Sequence, residues 1–270
     1  MKNKKELSIK ELCDLQYKDK NLVVPLGYVN KKKFIYLSLE NMSGLFIAGA
    51  TGTGKSIFID DIIVSLMYKN TPDQIKFVMI DPKKMELGEY NGIGYLIGKK
   101  SQSNTKKGYD FLIDLLKLLE YRINELVKTH HRTISGYNRS NKEKWPHIFL
   151  VIDEGADIIK MKDSLTVFSK ILEFGECIGI HLIYATNSYL KDYKNSKFLD
   201  KFKYRMTFDL ASLEQAEFID IEGSSWLKAN GEAILKKPNG KTCKFKTPYI
   251  TDEEINNIVK KSKKIEEILW

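Results

Sequence analysis

The chain has 270 residues, of which 43% are hydrophobic, and this length favours one large α/β domain with at most small additions. Its formal net charge is +9 at pH 7, from 44 lysines and arginines against 35 aspartates and glutamates. No run of about 18 apolar residues occurs, and the basic start lacks the apolar stretch of a secretion signal, so we expect a soluble, cytoplasmic chain without a transmembrane segment.

The basic charge has two interpretations. Lysine and arginine attract the phosphates of nucleic acids, which would make the charge functional. Alternatively, only four of the 44 basic residues are arginines, and a lysine-rich surface is what an AT-rich genome encodes at neutral positions. The three cysteines, Cys13, Cys177 and Cys243, are odd in number and widely spaced, so they predict reduced thiols rather than disulfides or a zinc site.

The predicted elements begin with a short charged helix or tail over residues 1–20. Two alternating segments, 22–29 and 33–39, predict a pair of strands. Short apolar runs then recur between helical patterns, at residues 44–49, 74–81, 147–153, 181–186 and 204–210. Strands that alternate with helices in this way predict a mostly parallel sheet with helices on both faces.

The helical patterns cover residues 55–69, 105–130 and 164–178. Near the end, segments 232–237 and 241–250 predict a hairpin, and Thr251 with Glu254 predicts a capping box that opens a last helix. We therefore expect an N-terminal tail and β segment over 1–40, an ATPase core over 41–250 and a charged C-terminal helix over 251–270.

A complete phosphate-loop motif, G-x-x-x-x-G-K-[ST], follows the first of the apolar runs. It consists of Gly49, Ala50, Thr51, Gly52, Thr53, Gly54, Lys55 and Ser56. Glycines let backbone N–H groups turn around the phosphates of ATP, the lysine reaches the β/γ oxygens, and the serine hydroxyl binds Mg²⁺. An apolar strand before the motif and a helix after it give the context that this chemistry requires.

An acidic pair and an amide follow two other apolar runs, where a doubly wound sheet presents its ligands. Asp153 is predicted to complete the Mg²⁺ shell, and Glu154 to act as the general base toward the attacking water. Asn187 is predicted to sense the γ-phosphate, although an asparagine after a strand is also common turn chemistry. Together these residues indicate a RecA-like P-loop ATPase.

Longer strings resemble the motor domain of the FtsK/SpoIIIE DNA translocase family over residues 23–262. The matching strings are PLG (25–27), LFIAGATGTGKS (45–56), SLMYKNTPDQIKFVMIDPKKMEL (65–87), GYN (136–138), VIDEGAD (151–157), GIHLIYATN (179–187) and DEEI (252–255). The resemblance implies a RecA-like fold, a hexameric ring of identical subunits, ATP between subunits and double-stranded DNA in the pore. The family also includes conjugative coupling ATPases and type VII secretion ATPases, and the resemblance does not choose among them.

The chain departs from this family where a trans-acting arginine finger is expected. Lys170 and Glu176 stand at the two arginine positions before the Gly-Ile-His-Leu string. Such an arginine stabilises the charge of the transition state, and a glutamate would oppose it. Arg205, which matches another arginine of the family, is the first candidate to replace it. Slow hydrolysis, a partner that completes the site or a different ring geometry are the alternatives.

The segment 188–203 replaces a loop that faces the pore in the family. Its lysines could follow a DNA backbone or belong to an ordinary solvated loop, and the same alternatives apply to segment 130–144. The candidate DNA contacts are Lys191, Lys194 and Lys197.

Two functions follow from these observations. The first is an ATP-driven motor that moves double-stranded DNA for a mobile element, in conjugation, plasmid maintenance or packaging, recruited by a membrane or relaxosome protein. The second, motivated by Glu176, is a type VII secretion-like or degenerate nucleotide-binding module that does not act on DNA.

Overall fold

A computed structural model of the chain describes residues 9–15, 22–30, 33–83, 86–103, 105–161, 163–187, 197–210 and 212–268. Over these ranges the strands form a single nine-stranded sheet. Its members are β1 Val23–Asn30, β2 Lys33–Ser38, β3 Gly44–Ala48, β4 Ile75–Ile80, β5 His147–Ile152, β6 Ile180–Thr186, β7 Tyr204–Thr207, β8 Glu232–Lys236 and β9 Thr242–Lys246.

The sheet has a parallel half and an antiparallel half. The strand order is β2-β1-β9-β8-β7-β3-β6-β5-β4. Strands β7, β3, β6, β5 and β4 run parallel, and their near-continuous apolar sequences match their burial on both faces. The two hairpins, β8–β9 and β1–β2, continue the same sheet as antiparallel strands.

Seven α-helices lie within the described ranges, and the larger ones cover both faces of the sheet. They are α1 Ile9–Leu15, α2 Lys55–Lys69, α3 Thr105–Lys128, α4 Ile134–Ser140, α5 Ser164–Ile178, α6 Leu213–Ile219 and α7 Asp252–Ile268. Buried residues of α2 and α7 share one core cluster, whereas those of α3 and α5 share the other. Strand β3 contributes to both, since Leu45 lies in the first cluster and Phe46 in the second.

The predicted fold class, a mostly parallel α/β sheet covered on both faces, is confirmed. All seven segments predicted as strands up to residue 210 form strands, and the predicted C-terminal hairpin forms β8 and β9. The capping box is also present: Thr251 Oγ1 accepts from Glu254 N at 3.2 Å, and Glu254 Oε2 accepts from Thr251 N at 2.9 Å. Helix α4 lies in a segment for which no separate helix was predicted.

The remaining sequence features are located as follows. All three cysteines are free thiols, as expected. Within the described ranges, no helix combines the length and the apolar character that a membrane crossing requires.

Candidate nucleotide-binding site

The phosphate loop connects the end of β3 to the first residue of α2. Gly52 and Gly54 have φ angles of 79° and 109°, which are readily accessible only to glycine. The loop is fixed from within, because Thr53 Oγ1 donates to Ala50 O at 2.8 Å. It is also fixed from outside, because Ala50 N donates to Asp209 O at 2.8 Å. The N-terminus of α2 and the loop backbone therefore face one defined volume, as an anion site requires.

Lys55 lies between the two acidic residues of the predicted site. Its Nζ donates to Asp153 Oδ1 at 3.0 Å and to Glu154 Oε1 at 3.2 Å. Burial alone would lower the pKa of Lys55, but the two carboxylates outweigh burial and raise it. Burial in turn raises the pKa of Asp153, against the opposing effect of Lys55. The lysine is thus held as a cation where the β/γ-phosphates are predicted.

Glu154 follows β5 with a φ of 55°, an uncommon left-handed conformation for a non-glycine residue. Its carboxylate is oriented by three groups. Besides Lys55, Oε2 lies 3.6 Å from Lys83 Nζ and accepts from Asn187 N at 3.3 Å. Asn187 Nδ2 also donates to Thr51 Oγ1 at 3.4 Å, which joins the end of β6 to the phosphate loop. The structure therefore brings together Lys55, Asp153, Glu154 and Asn187.

A loop after β4 adds two acidic residues that were not predicted as part of the site. Asp81 is buried, and its Oδ2 accepts from Glu86 N at 3.0 Å and from Leu87 N at 3.1 Å. Burial raises the pKa of Glu86, and a hydrogen bond from Ser56 opposes that rise. Ser56, which is predicted to bind the metal, therefore lies beside the carboxyl group of Glu86. The sequence signal for this loop was the string Ile80-Asp81-Pro82-Lys83, which indicated the family resemblance but did not indicate that the loop belongs to the site.

The opposite side of the cleft comes from the end of the β8–β9 hairpin and the residues that flank the hairpin on both sides. We call Asn230, Gly231, Lys246, Thr247, Pro248 and Tyr249 the hairpin wall. Gly231 N donates to Thr53 O at 3.1 Å, and Thr247 N donates to Gly231 O at 2.8 Å. The hairpin wall is thus hydrogen-bonded directly to the phosphate loop. No sequence pattern predicted this contact, which depends on the antiparallel extension of the sheet.

These residues enclose a cleft of about 560 Å³, within the range of small-molecule sites. The donor set fits a nucleotide with Mg²⁺: a helix N-terminus, a buried lysine, a hydroxyl and buried carboxylate oxygens, which are the ligands that Mg²⁺ prefers. Among the described residues that line the cleft, none is arginine.

Arg205 lies outside this cleft. It pairs with Phe46 across β7 and β3, toward the opposite end of the parallel strands from the phosphate loop. Its guanidinium lies 3.3 Å from Asp200 Oδ1 and 3.7 Å from Asp220 Oδ2. Arg205 is not among the described residues that line the cleft, and its assignment as a replacement finger stays a prediction.

The two positions at which the family carries arginines, Lys170 and the finger position Glu176, lie on α5. Lys170 forms an ion pair with Glu120 at 2.7 Å. Glu176 is exposed, and its backbone N donates to Ser43 Oγ at 3.2 Å, just before β3. Arg122 is buried and donates to the carbonyl oxygens of Ile178 and Pro146, so its role is structural.

Of the candidate DNA contacts, Lys191 and Lys194 lie outside the described residues. Lys197 is exposed, with a φ of 50°. Their role in DNA contact stays a prediction.

The sequence of the chain also matches known proteins. The profile of the FtsK/SpoIIIE family matches residues 14–194, more than half of the chain. The chain belongs to the FtsK/SpoIIIE family. The DNA translocase FtsK of Lactiplantibacillus plantarum is 31% identical over 271 residues, covering 94% of this chain and 34% of that protein. The DNA translocase SpoIIIE of Bacillus subtilis is 29% identical over 273 residues, with the same two coverages. The chain spans about a third of the length of these relatives.

Solved structures share the fold. The pCW3 conjugation coupling protein TcpA, in a monomer form with ATPγS, has a TM-score of 0.80 at 18% identity, covering 97% of this chain and 74% of that one. The cytoplasmic domain of the type VII secretion ATPase EccC of Thermomonospora curvata has a TM-score of 0.79 at 17% identity, covering 96% and 34%. The FtsK/SpoIIIE chain described here thus has the fold of a P-loop ATPase, which confirms the resemblance seen in its sequence.

Proposed function

We propose that this chain is the ATPase motor of a DNA translocase, which hydrolyses ATP to move double-stranded DNA. One observation carries the proposal: in a member of the FtsK/SpoIIIE family, Lys55, Asp153, Glu154 and Asn187 meet at the phosphate loop. The DNA translocases FtsK and SpoIIIE among its relatives support DNA as the substrate.

Each side chain has a role in this proposal. Lys55 exchanges its carboxylate partners for the β/γ-phosphate oxygens, and Ser56 and Asp153 hold Mg²⁺. Bound Mg²⁺ would neutralise charge on the phosphate oxygens. Glu154, released from Lys55, accepts a proton from the attacking water while Lys83 and Asn187 keep it oriented. Asn187 and Thr51 form the side of the cleft from which the γ-phosphate is sensed.

The finer assignments belong to the same proposal. The motor assembles as a ring of identical subunits, with duplex DNA in its centre. It serves a mobile element in conjugation, plasmid maintenance or packaging. It works in the cytoplasm and is recruited by a membrane or relaxosome protein.

The deciding experiment measures ATP turnover of the purified protein with duplex DNA, with single-stranded DNA and without DNA. Low and moderate salt are compared, because phosphate contacts weaken steeply as salt rises. Lys55→Ala and Glu154→Gln are the inactive controls. Stimulation by duplex DNA, lost in both controls, is the expected result, and displacement of a triplex-forming strand would show movement along the duplex.

A turnover rate that is indifferent to DNA, with no DNA binding at low salt, would contradict the motor assignment. Tight ATP binding with negligible turnover would favour the degenerate or secretion-like module instead. The mobile-element role has its own test in cells, in which Lys55→Ala should abolish transfer of the element without affecting growth.

A further inference from the structure

The hairpin wall extends the cleft beyond the phosphate loop. The charged groups of the cleft surround Lys55, where the proposed function puts the β/γ-phosphates. The lining also includes three uncharged side chains, Ile57, Pro248 and Tyr249, which offer apolar surface. A nucleoside triphosphate is charged at one end and aromatic at the other. The cleft therefore offers both kinds of surface that such a ligand requires.

Tyr249 is exposed in a way that its neighbours are not. Its relative exposure is 57%, whereas Pro248 is buried and Ile250 is only 2% exposed. The backbone on either side of the ring is therefore anchored in the core, and the ring itself lines the cleft. A single exposed aromatic ring is common on protein surfaces, and the feature that sets Tyr249 apart is its position in the wall of the cleft.

The segment that carries Tyr249 is held at a fixed position relative to the phosphates. Thr247 N donates to Gly231 O at 2.8 Å, and Gly231 N donates to Thr53 O at 3.1 Å. Thr247 Oγ1 adds a second hydrogen bond to Gly231 O at 3.2 Å. Only Pro248 separates Thr247 from Tyr249. The aromatic ring and the phosphate loop are thus joined by two short hydrogen-bonded steps.

We propose that Tyr249, supported by Pro248 and Ile57, is the subsite that holds the nucleobase of the bound nucleotide by stacking. The proposal deepens the proposed function and rests on its nucleotide-binding part, but not on DNA. Aromatic stacking accepts any base, because every base has a π-face. The ring therefore contributes affinity for the base as a class.

The test compares two ligands that share the phosphates but not the base. Dissociation constants are measured by titration calorimetry for a non-hydrolysable ATP analogue and for inorganic tripolyphosphate, both with Mg²⁺. The proteins are the wild type, Tyr249→Ala, Tyr249→Phe and Tyr121→Ala. Tyr121 is a matched control, because it is 53% exposed and lies on α3, away from the cleft.

Tyr249→Ala should weaken binding of the ATP analogue about 5- to 100-fold and leave tripolyphosphate binding within about twofold of the wild type. Tyr249→Phe keeps the ring and should bind the analogue nearly as tightly as the wild type, and Tyr121→Ala should change neither constant. Unchanged affinity of Tyr249→Ala for the analogue would overturn the proposal. Equal loss for both ligands would overturn it too, since the effect would then be on the phosphate loop.

A photolabel gives an independent result. Light-activated 8-azido-ATP attaches to groups next to the base, and the labelled peptide is identified by mass spectrometry. Label on the peptide that contains Tyr249 supports the subsite, and label confined to other peptides contradicts it. Neither measurement involves DNA, so a protein whose turnover ignores DNA could still confirm the base subsite.

Discussion

At the scale of single residues, the central feature is the position of Lys55 between Asp153 and Glu154. The lysine contacts both carboxylates, at 3.0 and 3.2 Å, and Lys83 supplies a second positive charge 3.6 Å from Glu154. Glu154 keeps two further partners, Lys83 and Asn187, when Lys55 turns to a phosphate. The carboxylate that we propose as the base therefore has contacts that do not depend on the lysine.

Replacement of Glu154 by glutamine tests this division of roles. We expect turnover to fall about 10²- to 10⁴-fold, because an amide cannot accept the proton of the attacking water. Nucleotide affinity should be retained, since the phosphate loop and Lys55 are unchanged. Steady-state turnover and equilibrium binding measure the two effects separately.

Asp157→Asn is the matched control for this substitution. Asp157 follows the same strand but is exposed, with a single ion pair to Lys160 at 3.7 Å. It should retain wild-type turnover. If Glu154→Gln retained it as well, another group would have to be the base.

The sequence identified Lys55, Asp153, Glu154 and Asn187, because each belongs to a motif of fixed spacing or directly follows an apolar strand. It did not identify Lys83 or Glu86 as part of the cleft, since their loop reaches Glu154 and Ser56 only through the three-dimensional path of the chain. It also missed Tyr249, whose approach depends on hydrogen bonds between distant segments.

At the scale of elements, α2 carries two acidic residues that are shielded from solvent, Asp61 fully and Asp60 in part. Asp60 Oδ1 accepts from Tyr90 Oη at 2.8 Å, and Asp61 is fully buried without a hydrogen-bond partner among the described residues. Burial raises the pKa of Asp60 to about 7, and it raises the pKa of Asp61 well above its ordinary value. The helix that follows the phosphate loop is therefore sensitive to the protonation of its own side chains.

This predicts a pH-dependent stability. A carboxyl group whose pKa is raised by folding stabilises the folded state at low pH, and this contribution is lost as the pH rises toward the folded value. For Asp60 the loss falls between about pH 4 and the folded pKa of about 7. Thermal unfolding from pH 4 to 8 should show a smaller decline for Asp60→Asn than for the wild type.

The exposed Asp73 provides the comparison for that experiment. Asp73→Asn should reproduce the wild-type decline. Parallel profiles for Asp60→Asn and the wild type would show that folding does not raise the pKa of Asp60.

The hairpin wall makes a second prediction at this scale. Gly231 has a φ of 80°, and a Cβ there would lie 2.6 Å from Thr247 Oγ1. Gly231→Ala should therefore weaken nucleotide binding, because the hydrogen bond from Gly231 N to Thr53 O depends on that close approach. Gly240 has a similar φ of 76°, but a Cβ at that residue would have no heavy atom within 4 Å.

The two alanine variants share the cost of a left-handed backbone, about 1–2 kcal/mol. Both should lose some thermal stability, whereas only Gly231→Ala should lose nucleotide affinity. Equal affinities for the two variants would mean that the hairpin wall does not shape the site.

At the scale of the whole molecule, the sheet joins a parallel half and an antiparallel half, and sequence patterns predict the parallel half more completely. The parallel half was predicted strand by strand, because buried strands that alternate with helices leave a regular apolar signal. The strand pairs β1–β2 and β8–β9 were also predicted. Their incorporation into the same sheet was not, because the pairing of β1 with β9 rests on a single residue pair, Tyr28 with Lys246. Such long-range pairing leaves no local signal.

Assembly is the second question at this scale. No arginine is among the described residues that line the cleft, and we therefore propose that an arginine finger comes from another copy of the chain. Turnover per molecule should therefore rise with protein concentration as copies associate, with mass photometry reporting their size. Arg205→Ala should abolish this rise without preventing association.

A mixing experiment separates the two sides of such an interface. Lys55→Ala cannot bind nucleotide but retains Arg205, whereas Arg205→Ala binds nucleotide and lacks the arginine. Mixed together, the two inactive proteins should regain part of the turnover. No recovery, with association intact, would remove Arg205 as the trans-acting group.

The balance of charge inside the cleft has a consequence for what can enter it. Three lysines and four carboxyl residues line it, although the chain as a whole carries +9. The side chains that line the cleft therefore offer a polyanion no excess of positive charge. A ligand that draws Lys55 away from Asp153 and Glu154 leaves these carboxylates without their positive partner, unless the ligand carries a metal ion that takes its place. We therefore expect the cleft to favour a metal-complexed nucleotide over a polyanion that carries no cations.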